Sequence, residues 1–371
     1  MEIKRKFYDV LAGWKADKRG QCLLVNGARQ VGKTFLIEKF GRENYESFIE
    51  INFALEPKFA AVFEGSLDVR SIRERLTALR GDVRIVPGRT LLFLDEIQDC
   101  PDARTAFKPL ALDGTFDVIA SGSLLGIKYK RNRRGRTPRS IPVGFEREVV
   151  MHSLSFAEYL EAKGFADESL ALVRRCFERR EPVPDAVNER FHALFREYAV
   201  VGGMPAVASA FLERGHYGEV QTLQEALTAD YVADIRKYAD KTDKPKIEAC
   251  FRAIPRILAK ENRKFKYAEV EDRGTARKYL AKRRMAAGRE AGDARRVRER
   301  RAAGPRRLRE GGVVQALSFG RRAAARVLRS ARQAGDAGRN ARRARQGGRL
   351  REPRRRRPRA KRPSGALLPE R

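Results

Sequence analysis

Apolar positions in this chain follow two rhythms. Short continuous runs come first: Cys22 to Val25, Leu91 to Leu94 and Val118 to Ala120. Runs of that length between polar or glycine residues predict strands buried on both faces, as in a parallel sheet. Phe35 to Phe40 follows the first run and reads as helix. Residues 154–280 read mainly helical. There Phe191, Leu194, Phe195 and Tyr198 recur at i, i+3, i+4 and i+7 and predict one buried helix face. Gly202 and Gly203 before Pro205 predict a helix stop and a tight turn. Lys246 to Leu280 reads as helix, a short extended KFKYAEV and helix, the outline of a winged-helix element.

The pattern predicts an α/β protein with a parallel sheet flanked by helices over 1–150. A mostly helical part, with the candidate winged-helix element, follows over 151–280. From about residue 281 the chain becomes a different material. Residues 281–371 hold 31 Lys plus Arg against 7 Asp plus Glu, so they carry +24 of the formal net charge of +32. The only aromatic residue after Tyr279 is Phe319. So few large apolar side chains cannot offset the entropy of ordering, and the segment is expected to be a disordered Arg/Ala/Gly-rich tail. Two origins fit it. One is a native basic tail that neutralises phosphates. The other, which the composition favours, is a reading-frame error, because Arg, Ala, Gly and Pro are encoded by codons starting with two G or C bases.

Composition bounds the chemistry. No apolar run approaches the roughly 18 residues of a membrane span, and MEIKRKFYDV has no secretory segment behind its charges. Cys22, Cys100, Cys176 and Cys250 stand far apart, with only His152, His192 and His216 to supplement them, which argues against a zinc site or a disulfide framework. A reducing cytoplasmic compartment is expected.

The sharpest signal is Gly27-Ala28-Arg29-Gln30-Val31-Gly32-Lys33-Thr34, which satisfies G-x-x-x-x-G-K-[ST] between a strand and a helix. Such a Walker A loop curls backbone N–H groups around phosphates at a helix N-terminus. Lys33 is expected at the β- and γ-phosphates, and the Thr34 hydroxyl on magnesium. The run ending in Asp95 and Glu96 is the Walker B candidate. Asp95 would hold the magnesium ion through water, and Glu96 would orient or activate the attacking water. Ser121 and Ser123 end the next predicted strand, where a sensor of the γ-phosphate would stand. Arg147 is the leading candidate for an arginine finger acting on a neighbouring subunit. The crowded Arg131, Arg133, Arg134, Arg136 and Arg139 are a second source, and a plain solvated loop is the blander account of them.

LLVNGARQVGKTFLIEKFG, FIEINFA, TLLFLDEIQDCPDA, FDVIASGSLLG, IPVGFEREVVMHSLSFAEYL and YAVVGGMPAVASAFL occur in order, followed by DYVADIRKYAD and IPRILAKENRKFKYAEV. Together, over about residues 3–280, they resemble the bacterial and archaeal AAA-like ATPases in which a P-loop core precedes a C-terminal domain of unknown function. The resemblance implies ATP and Mg2+ as ligands, and the Gly-Gly-x-Pro turn at 202–205 as the mark of the second domain. That family's pattern continues past GTARKYL with a helix, a wing-like region and a nuclease-like segment, none of which is visible after Leu280.

The expected function is magnesium-dependent ATP binding and hydrolysis coupled to an unknown partner or conformational output, with oligomerisation left open. The alternative is a nucleic-acid-binding switch that binds ATP with little turnover, touching nucleic acid through basic residues such as Lys260, Arg263, Lys264 and Lys266. Glu96 favours hydrolysis, since a pure binding module needs no acid placed to act on water. A remnant without function is a third reading, if the missing distal domain is needed for folding. Translation of the coding DNA beyond codon 280 in the other two frames is expected to restore a mixed-charge, aromatic-containing continuation. If neither frame does so, the basic tail is native.

Overall fold

The computed structural model describes residues 1–123, 142–165, 167–238, 243–258, 265–271, 274–275 and 278–279. The basic segment 281–371, the arginines at 131–139 and Lys260, Arg263 and Lys264 lie outside the described residues.

The predicted apolar runs form strands that pair in parallel: β1 (Cys22–Gly27), β2 (Ser47–Asn52), β3 (Thr90–Asp95), β4 (Phe116–Ser123) and β5 (Glu146–Met151), in the order β2-β3-β4-β1-β5. One strand, β4, therefore separates the strand that leads into the P-loop from the strand that carries Asp95. Side chains alternate between faces along each strand. Leu23 and Val25 of β1, Leu91 and Phe93 of β3, and Ile119 of β4 enter one core, while Cys22, Leu24, Leu92, Leu94, Val118 and Ala120 enter the other. α1 (Phe7–Ala16) and α2 (Lys33–Asn44) cover the first face. α3 (Val69–Leu79), α4 (Pro101–Thr105) and α5 (Phe107–Asp113) cover the second.

After β5 the described chain is helical: α6 (Phe156–Ala162), α7 (Asp167–Arg179), α8 (Asp185–Val201), α9 (Pro205–Arg214), α10 (Tyr217–Tyr238) and α11 (Lys244–Leu258). These helices join the α2 face rather than build a separate core. Val201, Phe211, Tyr231 and Ile254 lie in the same cluster as Ala28 and Val31 of the P-loop. No helix among the described residues is long and apolar enough to cross a membrane.

Two expectations are corrected. The stripe on α8 is not one buried face: Leu194 is buried, but Phe195 is 43% exposed. The helix lies at the rim, where its aromatic residues pack on one another and on α6, with Phe195 edge-on to Phe156 at 5.3 Å. Within KFKYAEV, the described residues 265–270 form no strand. Tyr267–Glu269 forms a 3-10 turn closed by Glu269 N–H to the Lys266 carbonyl. Without a partner strand its backbone groups would go unpaired, and the turn pairs them locally. No strand forms after Met151 among the described residues, so the wing is not seen there.

The Gly-Gly-x-Pro turn does form, and it joins the helices to the sheet. Gly202, at φ 80°, ends α8, and Pro205 starts α9. Gly203 lies so close to the chain after β5 that a Cβ would sit 2.4 Å from the Leu154 carbonyl oxygen. The Gly203 carbonyl accepts from Leu154 N–H at 2.7 Å, and the Tyr198 hydroxyl donates to the Leu154 carbonyl at 2.6 Å. Gly203→Ala should lower unfolding free energy by about 3 kcal/mol, because backbone meets the added methyl and cannot rotate away. Gly218→Ala, in open space, should be neutral or slightly stabilising by helix propensity. Urea titration of both variants checks the contrast.

Candidate functional site

The P-loop leaves the end of β1 and turns into α2. Gly27 is pressed against β5: a Cβ there would stand 2.6 Å from the Met151 carbonyl oxygen and 3.3 Å from Lys33 Cδ. Gly32 caps α2 at φ 89°, a backbone conformation that glycine adopts without strain. Lys33 and Thr34 are thus the first residues of a helix, where N–H groups have no intrahelical acceptor and the helix dipole is positive. Lys33 curls back over the loop, donating to the carbonyls of Ala28 at 2.8 Å and Gly27 at 3.3 Å. Burial pulls its ammonium below the ordinary lysine range. Glu96 and Asp95 act against the fall, and Arg29 adds to it. A buried cation ringed by carbonyls is poised for a polyanion, which would favour its charged form.

Asp95 is the centre of the second half of the site and is 4% exposed. Its Oδ2 accepts from the Thr34 hydroxyl and from Asn52 Nδ2, each at 3.0 Å. Its Oδ1 accepts from the Ser121 hydroxyl and, at 3.0 Å, from the Glu96 N–H. The hydroxyl of Thr34 beside this carboxylate is a pair of hard oxygen donors, the kind that suits magnesium. Glu96 follows in the left-handed region at φ 52°, and its carboxylate accepts from Gln98 Nε2. Such a backbone conformation is unfavourable for glutamate and persists where surrounding contacts fix it.

Of the two serines, Ser121 touches Asp95, while Ser123 is buried at the strand end, in register with Gly27. Arg147 does not join this group. It is exposed on β5 in register with Leu23, four residues before Gly27, roughly 13 Å down the sheet. There it lines a shallow cavity with Asp9, Asp17 and Gln21. His152, His192 and His216 take no part in the cluster around Asp95, and the four cysteines are buried free thiols. Among the described residues no group of three His, Cys, Asp or Glu side chains could hold a metal ion.

Residues 19–160 match the model of the AAA domain. The chain carries an AAA domain, the module of P-loop ATPases. Residues 192–283 of the ATPase match a domain of unknown function, DUF8612. Similar solved structures include the Walker-type ATPase of Pyrococcus abyssi, 18% identical over 77% of this chain and 90% of that one, with a TM-score of 0.43. AMPPCP-bound DnaA from Aquifex aeolicus is 14% identical over 76% and 86%, with a TM-score of 0.30. The RuvB Holliday junction branch migration motor of Thermotoga maritima is 14% identical over 69% and 77%, with a TM-score of 0.32. No curated protein matches the chain.

Two residues that the motifs did not flag complete the neighbourhood. Asn52 ends β2 and reaches Asp95. Arg5, one of several basic residues at the N-terminus, is 8% exposed and donates to the Val31 carbonyl at 2.8 Å, the His152 carbonyl at 2.6 Å and Glu158 at 3.1 Å. It thereby pins the back of the P-loop to the end of β5 and to α6. Glu158 also closes the capping box of α6 with Ser155. Burial alone would raise its carboxyl. The Ser155 N–H, the Arg5 guanidinium, the Ser155 hydroxyl and the Lys6 N–H together hold it below the ordinary value of 4.5. A depressed carboxylate stabilises the fold above its unfolded value, and the contribution is lost as pH falls through the folded value. Glu158→Gln should therefore cost about 3 kcal/mol at neutral pH, where it leaves Arg5 buried without its counter-charge. The deficit should shrink as pH drops below about 4.5. Denaturation midpoints of the ATPase and the variant across pH measure this.

Proposed function

We propose that the ATPase binds magnesium–ATP on Gly27 to Thr34 and hydrolyses it with groups on β3 and β4. Backbone N–H groups of the loop and the start of α2 take the phosphates. Lys33 exchanges its carbonyl partners for the β- and γ-phosphate oxygens. Thr34 and, through water, Asp95 would hold magnesium, which would neutralise phosphate charge. Glu96 orients the attacking water and accepts its proton. Ser121 ties Asp95 to β4, so Ser123, beside Gly27, is the serine placed to report on the γ-phosphate. Arg147 lies too far down the sheet to act on its own chain's nucleotide. A role for it requires a neighbouring subunit.

The observation that carries this reading is the hydrogen bond from Thr34 to Asp95. It brings the hydroxyl of the phosphate loop and the carboxylate of the acidic strand to one point, with Glu96 adjacent. A module that only bound nucleotide would not need that acid. Phosphate release with and without DNA or RNA separates this reading from a nucleic-acid-binding switch that binds ATP with little turnover.

Two substitutions test the assignment. Lys33→Ala should remove most ATP binding in calorimetry, and equal affinity in wild type and variant would displace the site. Glu96→Gln should keep ATP binding while lowering turnover by about tenfold or more, a barrier increase of at least about 1.4 kcal/mol. Unchanged turnover would move the role to another acid, such as Asp99.

A further inference from the structure

The P-loop is held from a second direction. α10 brings Asp230, Tyr231 and Asp234 to the P-loop. Each meets a different group of two consecutive loop residues. Asp230 Oδ2 accepts from Gln30 Nε2 at 2.9 Å. The Tyr231 hydroxyl donates to the Arg29 carbonyl at 2.9 Å. The Asp234 carboxylate pairs with the Arg29 guanidinium. One helix thus fixes both side chains and the intervening backbone at the crest of the loop.

The crest is where the loop needs support. Gln30 has φ 61°, a left-handed conformation that is unfavourable for a residue with a Cβ. The supports are themselves rigid. Tyr231 and Asp234 are each 7% exposed, and the Tyr231 ring stacks on Phe251 of α11 with centroids 6.3 Å apart. Burial, and then the Asp234 carboxylate, push the Tyr231 hydroxyl up, so it remains a donor at physiological pH. Asp230 to Asp234 lie inside the stretch that matches the domain of unknown function, about 200 residues from the loop they touch.

We propose that the domain of unknown function is part of the ATP site in cis, with Asp230, Tyr231 and Asp234 as positioning residues that preorganise Arg29 and Gln30 for the phosphates. The inference rests on the ATP reading of the P-loop. A loop already held in its binding conformation pays less ordering entropy when nucleotide arrives. The coupling is reciprocal: whatever α10 contributes to ATP affinity, ATP must return as stability of α10. The helix therefore conveys nucleotide occupancy to the second domain.

The test uses the full chain. Asp230→Asn, Tyr231→Phe and Asp234→Asn should each raise the Kd for magnesium–ATP, and the KM for phosphate release, by about fivefold or more, a typical coupling size. Because the three side chains touch the loop and not the cleavage residues, kcat should change far less than KM. Asp234→Glu should recover most of the lost affinity. In the wild-type chain, magnesium–ATP should slow hydrogen exchange across residues 217–238, and Asp234→Asn should remove that protection. Asp230 is exposed, so its variant folds whatever the fate of the other two. Unchanged Kd in all three variants, beside loss of binding in Lys33→Ala, would overturn the brace and leave the ATP site standing. Equal nucleotide affinity in wild type and Lys33→Ala would overturn the ATP reading itself.

Discussion

The carboxylate of Asp95 is the point on which the site converges. A buried carboxyl group is tolerated only when its oxygens are hydrogen-bonded. Here the acceptors are used by Thr34 at the start of α2, Asn52 at the end of β2, Ser121 on β4 and the N–H of Glu96. Each donor comes from a different element, so satisfying the one side chain fixes the relative positions of all of them. Hydrogen bonds to a charged group contribute about 1.5–3 kcal/mol each, more than neutral ones. The strand order makes this possible: with β4 between β1 and β3, a serine stands between the phosphate loop and the acidic strand.

Around that centre the loop is held by contacts from distant parts of the chain. Arg5 binds its Val31 carbonyl from the N-terminus, Met151 of β5 presses on Gly27, and α10 takes Arg29 and Gln30. The turn at Gly203 binds Leu154, three residues past Met151, so the helices and β5 are joined directly behind the loop. The helical part is thereby continuous with the α2 face of the sheet. The two segments that match separate family models share one core. The sheet and the helices are thereby packed together directly behind the loop.

What was legible in the sequence was local. The P-loop needs glycines, a lysine and a threonine within eight positions, and the flanking run and helix supply its context. The strands announced themselves because both faces of a parallel sheet are apolar. Asp95, Glu96 and Ser121 are legible as the polar ends of such runs, and the structure brings them together. Arg5, Asn52, Asp230, Tyr231 and Asp234 are not, because their partners lie 26 to 205 residues away and periodicity carries no record of such pairs. Arg147 was placed by its neighbours in sequence. Its distance from the loop is set by the β1–β5 register, which no single strand encodes. The extended reading of KFKYAEV failed for a related reason: a strand requires a partner, and pattern alone does not provide one.

A working hydrolytic centre around Asp95 must turn over magnesium–ATP. Phosphate release by the full-length ATPase from ATP, followed with magnesium present and then with the metal chelated, tests it most directly. Steady release over many turnovers is expected with magnesium, and none above background without it. ATP that binds but is not turned over with magnesium would contradict it, and would leave the P-loop as the sensor of a switch.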